Sequence, residues 1–359
     1  MIDHLLAVIE QWHRAGTTLS SDAFNALALQ TFEHQLRHNA PYQNFCASLG
    51  VTASALPSRW QDIPPVPVSA FKDATLTTFE PQSAELRFET SGTTSGRPGR
   101  HYMKTSALYR AALTAGFDRA MLQDHLRLRY LNVMPSWPDK PHSSLSYMMQ
   151  TIVEQRGDGG DGWYVRGEEL LVDAFISDLE AAISDGVVVC IAGTAFGLLN
   201  LVEALEKFGK RFALRSGSRI METGGFKGRS KVIERGDFYA LLSLRFGIPA
   251  DSIVAEYGMT ELTSQYYDSL ESRTQSERVK TGPPWLAWRI VDAAGNDVPP
   301  GARGMLIHFD LANRDSVLAL ATDDLAYALE DGFVLCGRVT EADARGCSLD
   351  AEELWSRAR

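Results

Sequence analysis

The sequence predicts an α/β protein with a largely parallel sheet and a small all-β region attached to it. Between about residues 85 and 260, short apolar strands alternate with amphipathic helices, a pattern typical of parallel sheets. Residues 187–192 are continuously apolar and rich in β-branched side chains, as in a strand that is buried on both faces. Beyond residue 285 the pattern predicts strands and turns with no helix between them.

The individual elements follow from hydrophobic periodicity and turn residues. Residues 1–50 repeat apolar side chains at helical spacing, whereas four prolines make 52–67 an irregular crossing segment. In the α/β part, the predicted strands are 86–90, 128–134, 187–192, 219–222 and 252–257, and the predicted helices are 106–122, 170–183, 195–208 and 236–246. In the final part, the predicted strands are 285–292, 304–310, 317–321 and 332–336. The polar segment 342–359 is predicted to form a short helix.

Length and charge limit the classes of protein that fit. The 359 residues predict an α/β core over 1–284, a small β subdomain over 285–338 and a short tail over 339–359. The net charge of −10 argues against a protein dedicated to binding nucleic acid or a membrane surface. Four scattered cysteines, no signal peptide and no apolar stretch long enough to span a bilayer favour a cytoplasmic protein.

A loop rich in glycine and hydroxyl residues follows the first predicted strand of the α/β part. Residues 90–100 hold three glycines, five hydroxyl residues and two arginines. Glycines let backbone N–H groups approach an anion, hydroxyls donate hydrogen bonds, and arginines supply charge. The pattern therefore predicts a phosphate-binding loop in preference to a flexible linker, although the Walker A order is missing. Its candidate residues are Ser91, Gly92, Thr93, Thr94, Ser95, Gly96 and Arg97.

Two further motifs lie near the ends of predicted strands, where open α/β sheets bind ligands. Residues 256–261 offer a flat ring for a base, a turn glycine, a hydroxyl group and a hard oxygen ligand suited to Mg²⁺. These residues are Tyr257, Gly258, Thr260 and Glu261. In the other motif, Asp324 follows a predicted strand and can accept hydrogen bonds from both ribose hydroxyls. Each motif alone is also compatible with an ordinary turn.

In combination these motifs resemble the adenylate-forming acyl/aryl ligases, which include acyl-CoA synthetases, luciferase and nonribosomal adenylation domains. The loop at 90–100 resembles the TSGTTGxPK motif, and 256–261 resembles the aromatic-Gly-x-Thr-Glu motif. Residues 322–324 resemble the TGD motif, and Gly337-Arg338 resembles the pair that precedes a hinge. The resemblance implies an N-terminal adenylation domain of stacked, mostly parallel sheets with helices. It also implies ATP and Mg²⁺ as cofactors, with Glu261 as metal ligand.

The sequence departs from that superfamily in several places. The glycine loop has an extra residue, Ser95, its usual lysine is replaced around Gly99-Arg100, and Asp323 stands where TGD has glycine. The chain is also expected to lack the full C-terminal domain that closes over the site and contributes a catalytic lysine. Lys227 and Arg229 are candidates to supply the missing charge, and a basic surface loop is the alternative interpretation.

A narrower resemblance is to the LuxE-type acyl-protein synthetases. It rests on the segments 142–145, 223–229 and 345–349. That family activates a fatty acid as acyl-AMP, takes the acyl group onto its own C-terminal cysteine and passes it to a reductase. The resemblance implies that Cys347 forms this thioester, and the neighbouring Arg345 would lower the pKa of its thiol. Cys190, in a buried run, and Cys336, on a predicted strand, are expected to be structural.

Other residues have a functional and a structural interpretation. Gly224 and Gly225 are expected to let the backbone pass under the adenine. His142 matches a histidine that borders the carboxylate pocket in related ligases, with an ordinary structural histidine as the alternative. Three aromatic residues either line an acyl pocket or belong to the core, and they are Trp137, Phe196 and Phe226.

The predicted function is ATP-dependent activation of a carboxylic acid, with a fatty acid implied by the narrower resemblance. The acyl group would pass to Cys347 and then to an acyl-accepting protein such as a reductase or a carrier protein. Two alternatives stay open. In one, coenzyme A or a carrier protein's thiol accepts the acyl group directly. In the other, the chain is a non-catalytic nucleotide-binding subunit.

Overall fold

The computed structural model of the chain describes residues 2–90, 97–124, 126–225, 233–275, 277–338 and 355–356. Its contacts divide the chain into two units. The first comprises Met1–Gly116, Met259–Gln265 and Val279–Arg359, and the second comprises Phe117–Gly258 and Tyr266–Arg278. The domain boundaries predicted at residues 284 and 338 stay predictions.

The described residues form helices and strands in the order that an α/β fold requires. The helices are α1 Ile2–Ala15, α2 Ser21–His38, α3 Ala40–Ser48, α4 Ala70–Asp73, α5 Ala107–Met121, α6 Ser144–Arg156, α7 Val172–Ser184, α8 Ala195–Lys207 and α9 Arg235–Phe246. The strands are β1 Val66–Pro67, β2 Leu86–Glu89, β3 Arg100–Met103, β4 Arg129–Val133, β5 Gly162–Trp163, β6 Val165–Arg166, β7 Glu169–Leu170, β8 Val189–Thr194, β9 Arg219–Thr223, β10 Ile253–Tyr257, β11 Tyr266–Asp268, β12 Lys280–Thr281, β13 Leu286–Val291, β14 Arg303–Asp310, β15 Ala319–Leu329 and β16 Gly332–Arg338. Within the described ranges, no helix has the length and apolarity needed to cross a lipid bilayer.

The sheet of the second unit is mostly parallel, which confirms the predicted fold class. Its strand order is β11-β10-β9-β8-β4-β5. Strands β10, β9, β8, β4 and β5 run parallel, and β11 runs antiparallel to β10. Residues 189–192 of β8 are at most 1 % exposed, as the β-branched run predicts. A hydrophobic cluster joins this sheet to α7, α8 and α9 through residues such as Ile191, Phe175 and Phe246.

The register of the parallel strands brings their carboxyl ends to one edge of this sheet. Thr194 at the end of β8 lies opposite Thr223 at the end of β9, and Thr223 lies opposite Glu256 of β10. The Thr194 side chain accepts a hydrogen bond of 3.0 Å from the Gly197 backbone N–H, and so caps α8. The segments after β9 and β10, which carry two of the predicted motifs, therefore begin at the same sheet edge.

The first unit combines the N-terminal helices with antiparallel strands. Its sheet has the order β13-β14-β15-β16-β12, and β1 pairs parallel to β15. The prediction that residues 1–50 are helical is confirmed by α1 to α3. Gln35 of α2 is fully buried and bonds the segment between β14 and β15, donating to the Asn313 backbone oxygen at 2.8 Å. Trp12 of α1 packs edge-on against Trp285, with ring centroids 5.1 Å apart.

Several elements differ from their predicted extent. Strand β15 continues to Leu329, well past the predicted end at residue 321, because β14 and β16 pair with it on both sides. Both pairings shift register, between Met305 and Ile307 of β14 and between Leu325 and Ala326 of β15. Asp324 therefore lies within a strand and beside a bulge, where the prediction had it after a strand. The elements β3, α6 and β11 were not predicted.

Two glycines, one at each end of α9, are expected to respond differently to replacement by alanine. Gly247 ends the helix with φ +65°, and a Cβ there would lie 2.9 Å from the Phe212 backbone oxygen. We expect Gly247→Ala to lower the free energy of unfolding by about 1–3 kcal/mol, because the left-handed conformation and the close carbonyl both oppose a side chain. Gly236 lies in the first turn of α9 with open space around its Cα, so Gly236→Ala is expected to be neutral or to stabilise by up to about 1 kcal/mol. Urea unfolding of both variants tests this, and equal effects would contradict it.

Candidate active site

The glycine-rich loop connects the two strands of a hairpin in the first unit. Strands β2 and β3 pair antiparallel, with Glu89 opposite Arg100. The Thr90 N–H donates to the Gly99 backbone oxygen at 2.9 Å, and the Gly99 N–H donates to Thr90 Oγ1 at 2.8 Å. A Cβ on Gly99 would lie 3.3 Å from Phe71 Cβ, so the backbone there passes close to α4. The hairpin therefore fixes both ends of the predicted phosphate loop. Arg97, which is described although the other candidate residues at 91–96 are not, is exposed.

Glu261 has a buried carboxyl group with a perturbed pKa. It is 8 % exposed and lies in the first unit. Burial raises the pKa of Glu261 to about 7, partly opposed by a hydrogen bond to its own backbone N–H and by the charges of Arg338 and Lys72, while Asp324 adds to the rise. A buried carboxyl group whose pKa is raised by burial and influenced by charged groups on other elements is a candidate for a functional site.

Asp324 is held next to Arg338 by the pairing of β15 and β16. The two residues lie opposite each other in the strand register, and Arg338 Nε donates to Asp324 Oδ1 at 3.0 Å. The Asp324 N–H donates to Thr322 Oγ1 at 3.1 Å. Arg338 has a side chain that is 69 % exposed, so this contact contributes little to stability. The pairing of β15 with β16 places the TGD-like and GR-like motifs side by side, and Glu261 belongs to the same unit.

The second unit holds the other predicted nucleotide residues. Gly224 follows β9 with φ +77°, and both Gly224 and Gly225 are exposed with open space beside the Cα. The Thr223 hydroxyl donates to the Glu256 carboxylate across the β9–β10 pair. Tyr257 ends β10 at the same sheet edge, is half-buried and lies 5.9 Å from the Tyr266 ring. This edge thus carries an exposed glycine pair after β9 and a flat aromatic ring at the end of the neighbouring β10.

The segment around His142 also follows the carboxyl edge of the second unit's sheet. His142 is half-buried and immediately precedes Ser143, whose side chain accepts from the Ser146 N–H at 3.2 Å to cap α6. Trp137 packs edge-on against Tyr147, with centroids 4.9 Å apart. Trp137 and the predicted aromatic residue Phe196 are both half-buried, and their assignment to an acyl pocket stays a prediction.

Several predicted site residues lie outside the described part of the chain. They are Ser91, Gly92, Thr93, Thr94, Ser95, Gly96, Phe226, Lys227, Arg229 and Cys347. The other cysteines are described. Cys46 and Cys190 are fully buried, which raises the pKa of each thiol to about 12, and Cys336 is half-buried on β16. Burial supports the expectation that Cys190 is structural.

The sequence did not reveal the residues that hold the Glu261 segment in place. His101 Nδ1 lies 2.8 Å from the Thr260 backbone oxygen, and Asn313 Nδ2 donates to the Glu261 backbone oxygen at 2.8 Å. Asp310 accepts hydrogen bonds from the backbone of Thr263 and Ser264. These contacts join positions far apart in the chain, so no local pattern marks them.

The raised pKa of Glu261 predicts how stability changes with pH. A carboxyl group with a folded-state pKa near 7 and an unfolded value near 4.5 stabilises the fold below its unfolded pKa, and this contribution is lost as the pH rises through 7. Glu261→Gln stays neutral throughout. We therefore expect the stability of Glu261→Gln relative to the wild type, measured as the difference in free energy of unfolding, to increase between about pH 5 and pH 8.5. The increase should be at most about 3 kcal/mol. Urea unfolding at both pH values measures this, and a constant difference would contradict the prediction.

Comparisons with known proteins identify the family. Residues 15–355 match the acyl-protein synthetases, LuxE. A long-chain-fatty-acid–luciferin-component ligase of Vibrio harveyi is 22 % identical over 337 residues, covering 90 % of this chain and 86 % of that protein. Among solved structures, an open conformation of 2-hydroxyisobutyryl-CoA ligase in complex with 2-HIB-AMP and CoA has a TM-score of 0.67 and 15 % identity, covering 89 % of this chain and 70 % of that one. McyG A-PCP, complexed with phenylalanyl-adenylate, has a TM-score of 0.51 and 20 % identity, covering 74 % and 49 %.

The structural likeness shows that the fold is that of adenylate-forming ligases. The family match extends over nearly the whole chain and includes both units described above. The chain therefore belongs to the LuxE family of acyl-protein synthetases, and it is an acyl-adenylate-forming ligase.

Proposed function

We propose that this ligase activates a fatty acid with ATP, transfers the acyl group to its own Cys347, and delivers it to a partner protein. The observation that carries the proposal is the buried Glu261 carboxyl, with Arg338, Lys72 and Asp324 as its charged neighbours. Such a cluster suits the charge that develops when a phosphate bond is broken. The name of the Vibrio harveyi relative, a long-chain-fatty-acid ligase, supports a fatty acid as the substrate.

A free carboxylic acid reacts poorly with a thiol because oxide is a poor leaving group. The first step replaces it with AMP. A carboxylate oxygen attacks the α-phosphorus of ATP, the bond from that phosphorus to the bridging oxygen breaks, and pyrophosphate leaves with its electron pair. The protein's contribution is positioning and charge stabilisation. We assign phosphate binding to the glycine loop, ribose binding to Asp324 and stacking on the base to Tyr257. The further nucleotide contacts in this assignment are Gly224, Gly225, Gly258, Thr260 and Arg338.

The residues around Glu261 fit a magnesium ion. A carboxylate oxygen is a ligand that Mg²⁺ prefers, and Mg²⁺ in such enzymes is held by one or two carboxylates together with substrate phosphates and water. Within the described residues, no group of three His, Cys, Asp or Glu could hold a metal by itself. Glu261 would therefore be the protein ligand in a site completed by nucleotide. Mg²⁺, when bound, would supply positive charge to the phosphate oxygens.

Three other residues are assigned to the site from the family pattern. Lys227 and Arg229 follow the Gly224-Gly225 pair and are proposed to neutralise phosphate charge. His142 is proposed to border the carboxylate of the acid. Its place after β4, beside the capped start of α6, supports this assignment.

The second step is an acyl transfer to a thiol. The Cys347 thiolate attacks the acyl carbonyl, the bond between that carbon and the AMP oxygen breaks, and AMP leaves. Of the three other cysteines, Cys46 and Cys190 have buried thiols whose raised pKa leaves almost no thiolate at neutral pH. This argument supports Cys347, beside Arg345, as the acceptor. Transfer to a partner's nucleophile, such as a thiol of a reductase or a carrier protein, completes the reaction.

A pyrophosphate-release screen across fatty and aromatic acids, followed by intact-mass spectrometry, tests the whole proposal. The expected result is ATP- and Mg²⁺-dependent release with a fatty acid, and a gain in protein mass equal to the acid minus water. Release that requires added coenzyme A, with no gain in protein mass, would instead assign an external thiol. ATP binding without pyrophosphate release for any acid would contradict a catalytic role.

A further inference from the structure

The segment that carries Glu261 is bound by side chains from distant parts of the first unit. We call residues 260–264 the Glu261 loop. Two of its backbone oxygens and two of its backbone N–H groups contact the side chains of His101, Asn313 and Asp310. These three residues are at most 1 % exposed. A loop of five residues thus has four backbone groups fixed by buried side chains, which is far more than a solvent-exposed turn requires.

Asp310 makes the largest number of these contacts. Its Oδ2 accepts from the Thr263 N–H at 2.9 Å and from the Ser264 N–H at 2.8 Å. Its Oδ1 accepts from Ser264 Oγ at 2.9 Å and from the Ala312 N–H at 3.0 Å. Both oxygens are therefore used twice, and all four donors require an acceptor. A carboxylate meets this requirement, whereas an amide would present N–H groups to one pair of donors.

The direction of one hydroxyl reinforces the arrangement. Trp285 Nε1 donates to Ser264 Oγ at 2.9 Å, and an indole N–H can only donate. Ser264 must therefore donate its own proton to Asp310. The chain of bonds from Trp285 through Ser264 to Asp310 therefore has one donor–acceptor order while Asp310 is ionised.

Burial of the Asp310 carboxyl carries a free-energy cost that its hydrogen bonds must offset. It is fully buried, and burial raises the pKa of its carboxyl to about 6 even though four donors favour the charged form. A neutral residue of similar size at the end of β14 would avoid this cost. The four donors and the neighbouring Glu261 indicate that the carboxylate holds the loop and not merely the strand end.

We propose that Asp310 is a positioning residue that fixes the Glu261 loop in the geometry needed for adenylate formation. The inference rests on the proposed function, in which Glu261 contacts the metal and nucleotide. Asp310 acts through the backbone of Thr263 and Ser264, two and three residues after Glu261. Asn313 holds the Glu261 carbonyl directly, so the carboxyl is carried by a backbone that is fixed on both sides.

The test compares Asp310→Asn with Leu27→Ala. The second variant leaves a cavity where the buried Leu27 side chain of α2 packs, and it controls for the effect of lower stability alone. The first measurement needs no activity. Hydrogen exchange of the peptide spanning residues 259–265 is expected to become at least about 10-fold faster in Asp310→Asn, because two protected amides lose part of their acceptor. In Leu27→Ala, the same peptide is expected to exchange as in the wild type.

The second measurement is acid-dependent ATP–pyrophosphate exchange. In Asp310→Asn, kcat is expected to fall roughly 10- to 100-fold, the range found when a residue that orients a metal ligand is replaced. The Mg²⁺ concentration for half-maximal rate is expected to rise, while KM for the acid stays unchanged. In a Glu261→Gln background, Asp310→Asn is expected to add less than about a twofold loss, since both act through one group.

The outcomes separate this inference from the proposed function. If Glu261→Gln abolishes exchange but Asp310→Asn changes neither kcat nor the Mg²⁺ requirement, the positioning role is wrong and the proposed role of Glu261 stands. If Leu27→Ala at equal loss of thermal stability reduces kcat as much, the effect is one of stability and the inference is also wrong. If Glu261→Gln leaves exchange unchanged, the proposed function of Glu261 and this inference both fail.

Discussion

Glu261→Ala is expected to reduce acid-dependent ATP–pyrophosphate exchange by roughly 10²- to 10³-fold, the range found when one preorganised charge-stabilising group is removed. The wild-type carboxyl is buried, and burial raises its pKa to about 7 although the charges of Arg338 and Lys72 oppose the rise. A divalent cation at this carboxylate would compensate its burial. Without the carboxylate, the phosphates of the bound nucleotide lose the protein group that would fix their counter-charge.

The control for this variant is Glu80→Ala, which removes an exposed carboxylate from the same unit and is expected to leave exchange unchanged. Thermal unfolding of Glu261→Ala excludes a simple loss of fold. Because a buried carboxyl destabilises the protein above neutral pH, the variant should be no less stable than the wild type at about pH 8.5. Full exchange activity in Glu261→Ala at saturating Mg²⁺ would show that this residue has no part in the chemistry.

Much of the α/β body could be predicted because its elements are marked locally. The β-branched run that became β8 is apolar throughout, and the Asp185-Gly186 pair before it marks the end of α7. Helix α6 was missed, although Ser143 before Leu145, Met148 and Ile152 is a recognisable capping signal. Short strands such as β11 have too few residues for any periodicity to show.

The residues that hold the candidate site in place could not be predicted from local sequence patterns. Ser264 and Asp310 are 46 positions apart, and His101 and Thr260 are 159 apart. A histidine or an aspartate that binds a backbone group at such a separation has no characteristic neighbours in sequence. Motif residues such as Glu261 can be recognised because their chemistry recurs at fixed spacing. The residues that orient them depend on tertiary packing and become visible only in the structure.

The cysteines can be ranked as acyl acceptors by thiol chemistry. Burial raises the pKa of Cys46 and Cys190 to about 12, so their thiols are neutral and inaccessible at pH 7. Cys336 is half-buried on β16, two residues before Arg338. Of the described cysteines, it is therefore the alternative acyl acceptor to Cys347. A test of the acceptor must therefore compare Cys347 with Cys336.

Cys347→Ser is expected to retain acid-dependent ATP–pyrophosphate exchange and to lose the thioester-linked acyl-protein. Exchange reports adenylate formation, which precedes the thiol, so it should stay within about twofold of wild type. Serine has a far higher pKa than cysteine and lacks the thiolate that displaces AMP. Incubation with ATP and labelled fatty acid, followed by neutral hydroxylamine, measures the thioester, and the released label is expected to disappear.

Cys336→Ser is the matched control, because it makes the same change at the other candidate thiol. It is expected to retain both exchange and the hydroxylamine-labile acyl group. If Cys336→Ser loses the acyl group while Cys347→Ser keeps it, the acceptor is on β16 and the transfer must occur beside Arg338 without the C-terminal tail. If both variants keep it, neither thiol alone holds the acyl group, and the proposed acceptor role of Cys347 is wrong. If the wild type itself carries no hydroxylamine-labile acyl group, an external acceptor takes the acyl group directly from AMP. Only loss in Cys347→Ser alone supports Cys347 as the residue that carries the acyl intermediate.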